Sequence, residues 1–363
     1  MPNSPSSWKK TLVAVGAATA ALTPLAAVPA QAGTSAEASV EVLASGLHNP
    51  RDITALSDGT LLVAEAGEGL ATCAAGQVCA GLTGSVYKVK GSYQARVVTG
   101  LPSMAVGPSG PRTVAAGPNQ VLTDPGGGYD VLNSFGSDGS NQLRASLGDN
   151  AKKLGTLVRT RDGKVLADLT DHETTANPDG GGLNANPWNM VRYGSDYLIT
   201  DAGGNSVVHA ASDGTTTTAF VVPSNDTAVR GKVDAVPTGL VRAPDGTLYG
   251  SDMSGTVPGA ARIWKAAPGH QPEVLATGLS SLVDLAVDSS GNLIALSYTK
   301  GTFAPPIQPG VLSRINTRTG AVTEIPTGDQ LHAPTGLALG PSGQIYVTNN
   351  TTGTEGQLVR VRP

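Results

Sequence analysis

A unit that recurs six times limits what this chain can fold into more than any other feature. Each copy starts with a short opening motif, in most copies Pro, two mostly polar residues and an apolar one. A strand, a Gly-containing turn and a second apolar strand ending in a carboxylate or amide follow. The opening motifs are read at Asn49-Pro-Arg-Asp-Ile53, Gly110-Pro-Arg-Thr-Val114, Asn186-Pro-Trp-Asn-Met190, Val236-Pro-Thr-Gly-Leu240, Ser281-Leu-Val-Asp-Leu285 and Ala333-Pro-Thr-Gly-Leu337. Second strands are read at Thr60–Glu65, Gln120–Asp124, Tyr197–Asp201, Thr247–Asp252, Asn292–Ser297 and Gln344–Asn349. Turns such as Asp58-Gly59, Asp245-Gly246 and Ser342-Gly343 suit hairpins between them. The last four copies start at 186, 236, 281 and 333, so they are 50, 45 and 52 residues apart. That is the period of a propeller blade.

A third strand and an edge strand continue each copy, except that the last ends at Leu358–Arg362 with no edge strand after it. The spare segment Ser39-Val-Glu-Val-Leu43, followed by Ala44-Ser-Gly-Leu47, resembles the edge segment Val274–Leu279 and is expected to complete blade six. The expected fold is therefore all-β: a six-bladed propeller of four-stranded antiparallel blades, closed by the N-terminal strand joining the last blade. Closure removes exposed strand edges. Seven blades would need another opening motif between Pro125 and Pro187, where a Gly-rich insertion to Gly148 is read instead; none is present.

Composition agrees. Gly and Pro number 47 and 25, charged residues are only 14% and hydrophobic residues 39%, as many turns joining short apolar strands require. A net charge of −4, without a Lys/Arg run after the first residues, offers no nucleic-acid surface. Residues 1–32 read as a secretory signal peptide: Lys9 and Lys10, an apolar run broken by Pro24 and Pro29, then Ala30-Gln-Ala32 before Gly33. The mature chain, 33–363, is expected as one secreted, extracellular, monomeric propeller domain without a membrane span. In that setting Cys73 and Cys79 read as a local disulfide pinning one loop.

Further segments carry a family resemblance. Leu154–Val158, Asp168-Leu-Thr-Asp-His-Glu-Thr-Thr-Ala-Asn-Pro-Asp-Gly180, Thr200-Asp-Ala-Gly-Gly-Asn205, Val236-Pro-Thr-Gly239 and Pro258-Gly-Ala-Ala-Arg-Ile263, taken in order with the opening motifs, resemble the ScyD/ScyE family of exported propellers. The resemblance spans the mature chain and implies a secreted propeller of six or seven blades. It supplies no catalytic set and does not imply a part in pigment synthesis. Ser254–Gly259 departs from the family pattern in lacking an aromatic residue before Pro-Gly.

Inner strands of a propeller line its channel, so equivalent positions form rings. One ring is Arg51, Arg112, Trp188, Thr238, Val283 and Thr335; the next is Asp52, Thr113, Asn189, Gly239, Asp284 and Gly336. Arg51, Asp52, Arg112, Trp188, Asn189 and Asp284 are thus candidate contacts for a small polar ligand or a cation. The plainer reading has them satisfy one another and channel water. A third ring, ending the second strands, holds Glu65, Asp124, Asp201 and Asp252 with Ser297 and Asn349. It is a candidate site for Ca²⁺ or another divalent ion, or a set of strand-ending Asx turns. Asp168, Asp171, Glu173 and Asp179, with Asn177, pose the same choice between calcium and a solvated turn.

No nucleophile elbow, H-E-x-x-H, P-loop or G-x-G-x-x-G after a strand occurs, and the five histidines have no ligand spacing. His48 and His332 precede the openings of copies one and six, neighbours in a closed ring. Two functions stay open. One is a non-catalytic extracellular binding or scaffold propeller whose partner is a small polar ligand or another extracellular protein. The other is a lactonase-like hydrolase or lyase with a divalent metal held by channel donors among Glu65, Asn189, Asp252 and Asp284.

Overall fold

The computed structural model describes residues 38–108, 110, 113–136, 141–267 and 269–363. The leader expected at 1–32 and the candidate Arg112 lie outside these residues.

Six antiparallel sheets form a six-bladed β-propeller. The inner strands are Pro50–Ala55, Pro118–Thr123, Pro187–Tyr193, Pro237–Arg242, Leu282–Val287 and Leu337–Leu339. Next come Leu61–Glu65, Tyr129–Asn133, Asp196–Asp201, Leu248–Asp252, Leu293–Ser297 and Ile345–Asn349. These second strands are packed between neighbouring blades on both faces. Leu61–Glu65, Leu248–Asp252 and Leu293–Ser297 are accordingly buried at every position, which explains why they read as continuous apolar runs rather than alternating ones. Burial falls away outward: the edge strand Glu273–Leu279 buries only Ala276 and Leu279.

The ring closes as its strand pattern requires. Ser39–Leu47 pairs antiparallel with Gly356–Arg362, from Ser39 opposite Arg362 to Leu47 opposite Gly356. Leu47 is fully buried and packs with Leu61, Val63 and Leu358, joining blade six to blade one. Glu41 takes Arg360 and Arg362 at 2.5 and 2.8 Å on the outer face.

Blade two differs from the sequence reading by one strand. Gly110–Val114 does not open it; Ala115–Ala116 instead adds a short fifth strand to the edge of blade one. The inner strand is Pro118–Thr123, so Gln120–Asp124 is not a second strand, and Tyr129–Asn133 fills that role inside the segment read as an insertion. Both Gly110-Pro111 and Gly117-Pro118 satisfy the opening pattern, and the turn Asp124–Gly128 selects the second of them. Asp124 N donates to Gly128 O at 3.1 Å, closing the hairpin. The remainder of the long stretch forms two short helices, Asn141–Ser146 and Leu169–Ala176, around the third and fourth strands.

Cys73 and Cys79 are bonded, with Cα atoms 5.8 Å apart, tying the loop after the second strand of blade one to the start of the third strand, Val78–Lys90. No helix among the described residues is long and apolar enough to cross a membrane.

Candidate functional site: the channel floor and the blade latches

With blade two in register, the innermost ring reads Asp52, Gln120, Asn189, Gly239, Asp284 and Gly336. Gly239 and Gly336 are needed for room. A Cβ on Gly336 would lie 2.3 Å from Arg51 O and 2.6 Å from Asp52 Cα, and one on Gly239 would lie 2.8 Å from Leu285 N. The inner strands of blades four and six therefore lie directly against the acid-bearing strands of blades five and one.

The four polar members close it. Asp52, Gln120, Asn189 and Asp284 are 6, 8, 3 and 2% exposed. Ile53 N donates to Asp52 Oδ1 at 2.6 Å, Leu285 N to Asp284 Oδ1 at 2.8 Å, and Leu337 N to Asp284 Oδ2 at 2.6 Å. Asn189 Nδ2 reaches both acids, 3.3 Å from Asp52 Oδ2 and 3.4 Å from Asp284 Oδ1. Gln120 Oε1 accepts from Met190 N. Asn189 Oδ1 has no partner.

Among the described residues no Lys or Arg neutralises the pair. Arg51 does not pair with Asp52; its Nη2 donates to Ala115 O at 2.5 Å. Burial, then the charge of Asp52, holds the Asp284 carboxyl well above the usual carboxylate range, and burial lifts Asp52 to about 6. Two like carboxyls in contact inside a low-dielectric channel share a proton rather than ionise together.

This polar floor separates two cavities. A funnel of about 690 Å³ has Asp52, Gln120, Asn189 and Asp284 at its base, with Ile53, Met190, Leu240, Leu285 and Leu337 but also Arg192 and Arg242 on its walls. A second cavity of about 480 Å³ holds Arg51, Asn119 and Trp188. Trp188 Nε1 donates to Val283 O at 2.9 Å, so the indole reaches from blade three to blade five. Of the candidate channel contacts, Asp52, Asn189 and Asp284 meet at the floor, whereas Arg51 and Trp188 belong to the other cavity. Gln120 was missed with the blade-two register.

The third ring does not converge. Glu65, Asp201 and Asp252 end the second strands of three separate blades, and Asn133 replaces Asp124 in blade two. Asp124 lies at the far end of that blade's inner strand, 2.7 Å from Arg161. Glu65, Asp201 and the equivalent Asn349 instead latch the opening segments. His48 N donates to Glu65 Oε1 at 2.7 Å, Asn186 N to Asp201 Oδ1 at 2.7 Å, and His332 N to Asn349 Oδ1 at 2.6 Å. Arg96 pairs with Glu65 at 2.7 Å and Arg262 with Asp252 at 2.9 Å. His48 pairs with Glu68 at 2.7 Å and does not join the floor. The acidic stretch divides. Asp168 caps the helix Leu169–Ala176 and takes both Nη1 and Nη2 of Arg144 at 2.8 Å, while Glu173 turns inward toward Asp201. Among the described residues no three His, Cys, Asp or Glu side chains are grouped tightly enough to hold a metal ion by themselves.

Buried acids give the fold a definite pH response. Burial raises Asp201 and Asp252 to about 6 and Glu173 to about 7, alongside the floor pair. In the range from about 4 to about 7 the folded chain then binds more protons than the unfolded one, so stability falls as pH rises. Each tenfold difference in proton affinity between the two states is worth about 1.4 kcal/mol. The urea midpoint, measured with a chelator present, should therefore drop between pH 4.5 and 7.5 by the equivalent of a few kcal/mol. A midpoint that rises across that range would contradict the burial of these acids.

Neither a family model nor a curated protein matches the chain. Solved structures do. A glucose dehydrogenase shares 15% identity over 90% of this chain and 99% of its own, with a TM-score of 0.53. A gluconolactonase from Xanthomonas campestris shares 14% over 89% of each chain, with a TM-score of 0.51. A selenomethionine-substituted virginiamycin B lyase from Staphylococcus aureus shares 9% over 90% of this chain and all of its own, also at 0.51. At such identities the likeness is one of fold. The chain is a six-bladed β-propeller with a polar-floored central channel.

Proposed function

We propose that this is an exported, non-catalytic binding propeller of the ScyD/ScyE type whose funnel takes a small amphipathic molecule. The observation that carries the reading is the pairing of partly apolar walls with a floor of two carboxyls and two amides that no Lys or Arg among the described residues neutralises. A pair of acids sharing one proton both donates and accepts, so it suits a neutral polar head such as a hydroxyl, amide or ester carbonyl. The walls take a hydrocarbon or aromatic body, and the volume falls within the range of small-molecule pockets. Export is supported by the leader-like first residues and by the Cys73–Cys79 bond, which favours an oxidising compartment.

Ligand-observed NMR of a fragment set tests this. Hits should combine an apolar body with a neutral polar head, and they should lose their signal in Ala243→Trp, which places an indole in the funnel wall. Binding unchanged by that variant would sink the proposal.

A divalent-metal hydrolase is the second reading, favoured by the one floor oxygen without a partner, Asn189 Oδ1. Metal-dependent turnover of a lactone panel, abolished in Asp284→Asn, would establish it in place of the first.

A further inference from the structure

Blade three lacks a component that two other latches possess. In blade one Arg96 neutralises Glu65, and in blade four Arg262 neutralises Asp252 from the directly paired position on the third strand. The residue paired with Asp201 is Ser206, and a second acid, Glu173, is delivered to the same place by the helix Leu169–Ala176. Both acids are 1% exposed. Asp201 Oδ1 accepts from three backbone amides, but Glu173 has only Asn184 N at 3.4 Å. The charges acting on Glu173 are those of Asp201 and Asp179, both negative.

Two further observations point to something held between them. Ser206 is fully buried and its Oγ has no partner, although it stands on the same sheet face as Asp201. At the corresponding pair in blade one, Ser85 Oγ does donate to Glu65 Oε2, at 2.5 Å. Asn184 Oδ1 is likewise without a partner. The glycines here serve space rather than conformation, since neither Gly203 nor Gly204 has a positive φ. A Cβ on Gly204 would lie 2.4 Å from Glu173 Oε2, and one on Gly203 would lie 2.8 Å from Asn184 Oδ1. Gly203-Gly204 is thus a cradle that lets the side chains of Glu173, Asn184 and Asp201 press on one stretch of backbone.

We propose that a hard divalent cation, Ca²⁺ foremost, binds between Glu173 and Asp201, completed by Asn184 Oδ1, Ser206 Oγ and water. The ion does for blade three what an arginine does for blades one and four. Hard cations take several oxygens from mixed carboxylate and neutral donors, so two acids suffice. Asp179 stays outside, its oxygens taken by Gly181 N and Asn205 Nδ2 at 2.7 Å each. The site is independent of the channel floor, and it ties the helix to the segment that leads into Trp188 and Asn189.

Calorimetric titration of the chelator-treated full chain with CaCl₂ at pH 7.5 should give one equivalent, with a Kd of about 10⁻⁴–10⁻³ M or tighter as in extracellular modules, together with a raised melting temperature. Glu173→Gln should weaken binding at least about 30-fold and should melt above the metal-free parent, because it removes a buried like charge. A wild-type chain that takes up no calcium, or a Glu173→Gln chain that binds it as before, overturns the site. If the variant does not fold, wild-type crystals soaked in CaCl₂ decide. An anomalous peak between Glu173 and Asp201 supports the proposal, and a peak at Asp52 and Asp284, or none, overturns it.

Discussion

A chain beginning at His48 should not yield a soluble, folded monomer. Without Ser39–Leu47 the strand Gly356–Arg362 loses its whole ladder partner, and an apolar edge lies open to other chains. Leu47, fully buried against Leu61, Val63 and Leu358, is lost from the contact that holds the last blade to the first. Leu47→Ala alone should cost about 2–5 kcal/mol, the range for truncating a buried leucine, and the deletion should cost more, with oligomers or aggregates in size-exclusion chromatography. A truncated chain that elutes as a monomer with an unchanged urea midpoint would mean that the ring does not depend on this strand.

Gly336→Ala should be among the most damaging single changes in the protein. Its new Cβ would meet Arg51 O at 2.3 Å and Asp52 Cα at 2.6 Å, and both belong to the backbone of the neighbouring inner strand. Backbone cannot rotate out of the way as a side chain does, so blades six and one must separate, or the strand carrying Asp52 must shift. A loss of about 3 kcal/mol or more is expected, at the upper end for overpacking. Gly182→Ala is the comparison, because nothing lies within 4 Å of its Cβ and its φ is not positive. That change should stay within about 0.5 kcal/mol. Equal midpoints for the two variants, in urea unfolding at one pH, would show that the channel is wider than described.

How much of this could be read beforehand depended on whether a contact was encoded by equivalence or by chance of packing. Asp52, Asn189 and Asp284 were legible as neighbours because they occupy the same place in three copies of one motif, and a ring brings such places together. The pairing of Ser39–Leu47 with blade six was legible for a similar reason, since the segment resembles an edge strand and blade six lacked one. Gln120 was not legible, because two Gly-Pro pairs seven residues apart both fit the opening of blade two. The turn Asp124–Gly128, with three glycines before the strand Tyr129–Asn133, was the available signal for choosing between them. The carboxylates ending the second strands looked like a ring for a sound geometric reason, yet their chemistry is local: Glu65 and Asp201 fasten their own blades' opening segments, and Asp252 takes Ser254 and Arg262. Glu173 meets Asp201 through a helix outside the repeat. Only the cap at Asp168, with Asp171 three residues on, announced that helix.

Binding in the funnel depends on its floor being able both to donate and to accept a hydrogen bond, which requires Asp52 and Asp284 to hold one proton between them at neutral pH. Infrared spectroscopy of the chelator-treated protein at pH 7, compared with Asp284→Asn, reads that proton out. The difference spectrum, parent minus variant, should show a protonated-carboxyl band of one group above what the other buried acids contribute to both. Spectra in which the variant loses only ionised carboxylate absorption would contradict a shared proton.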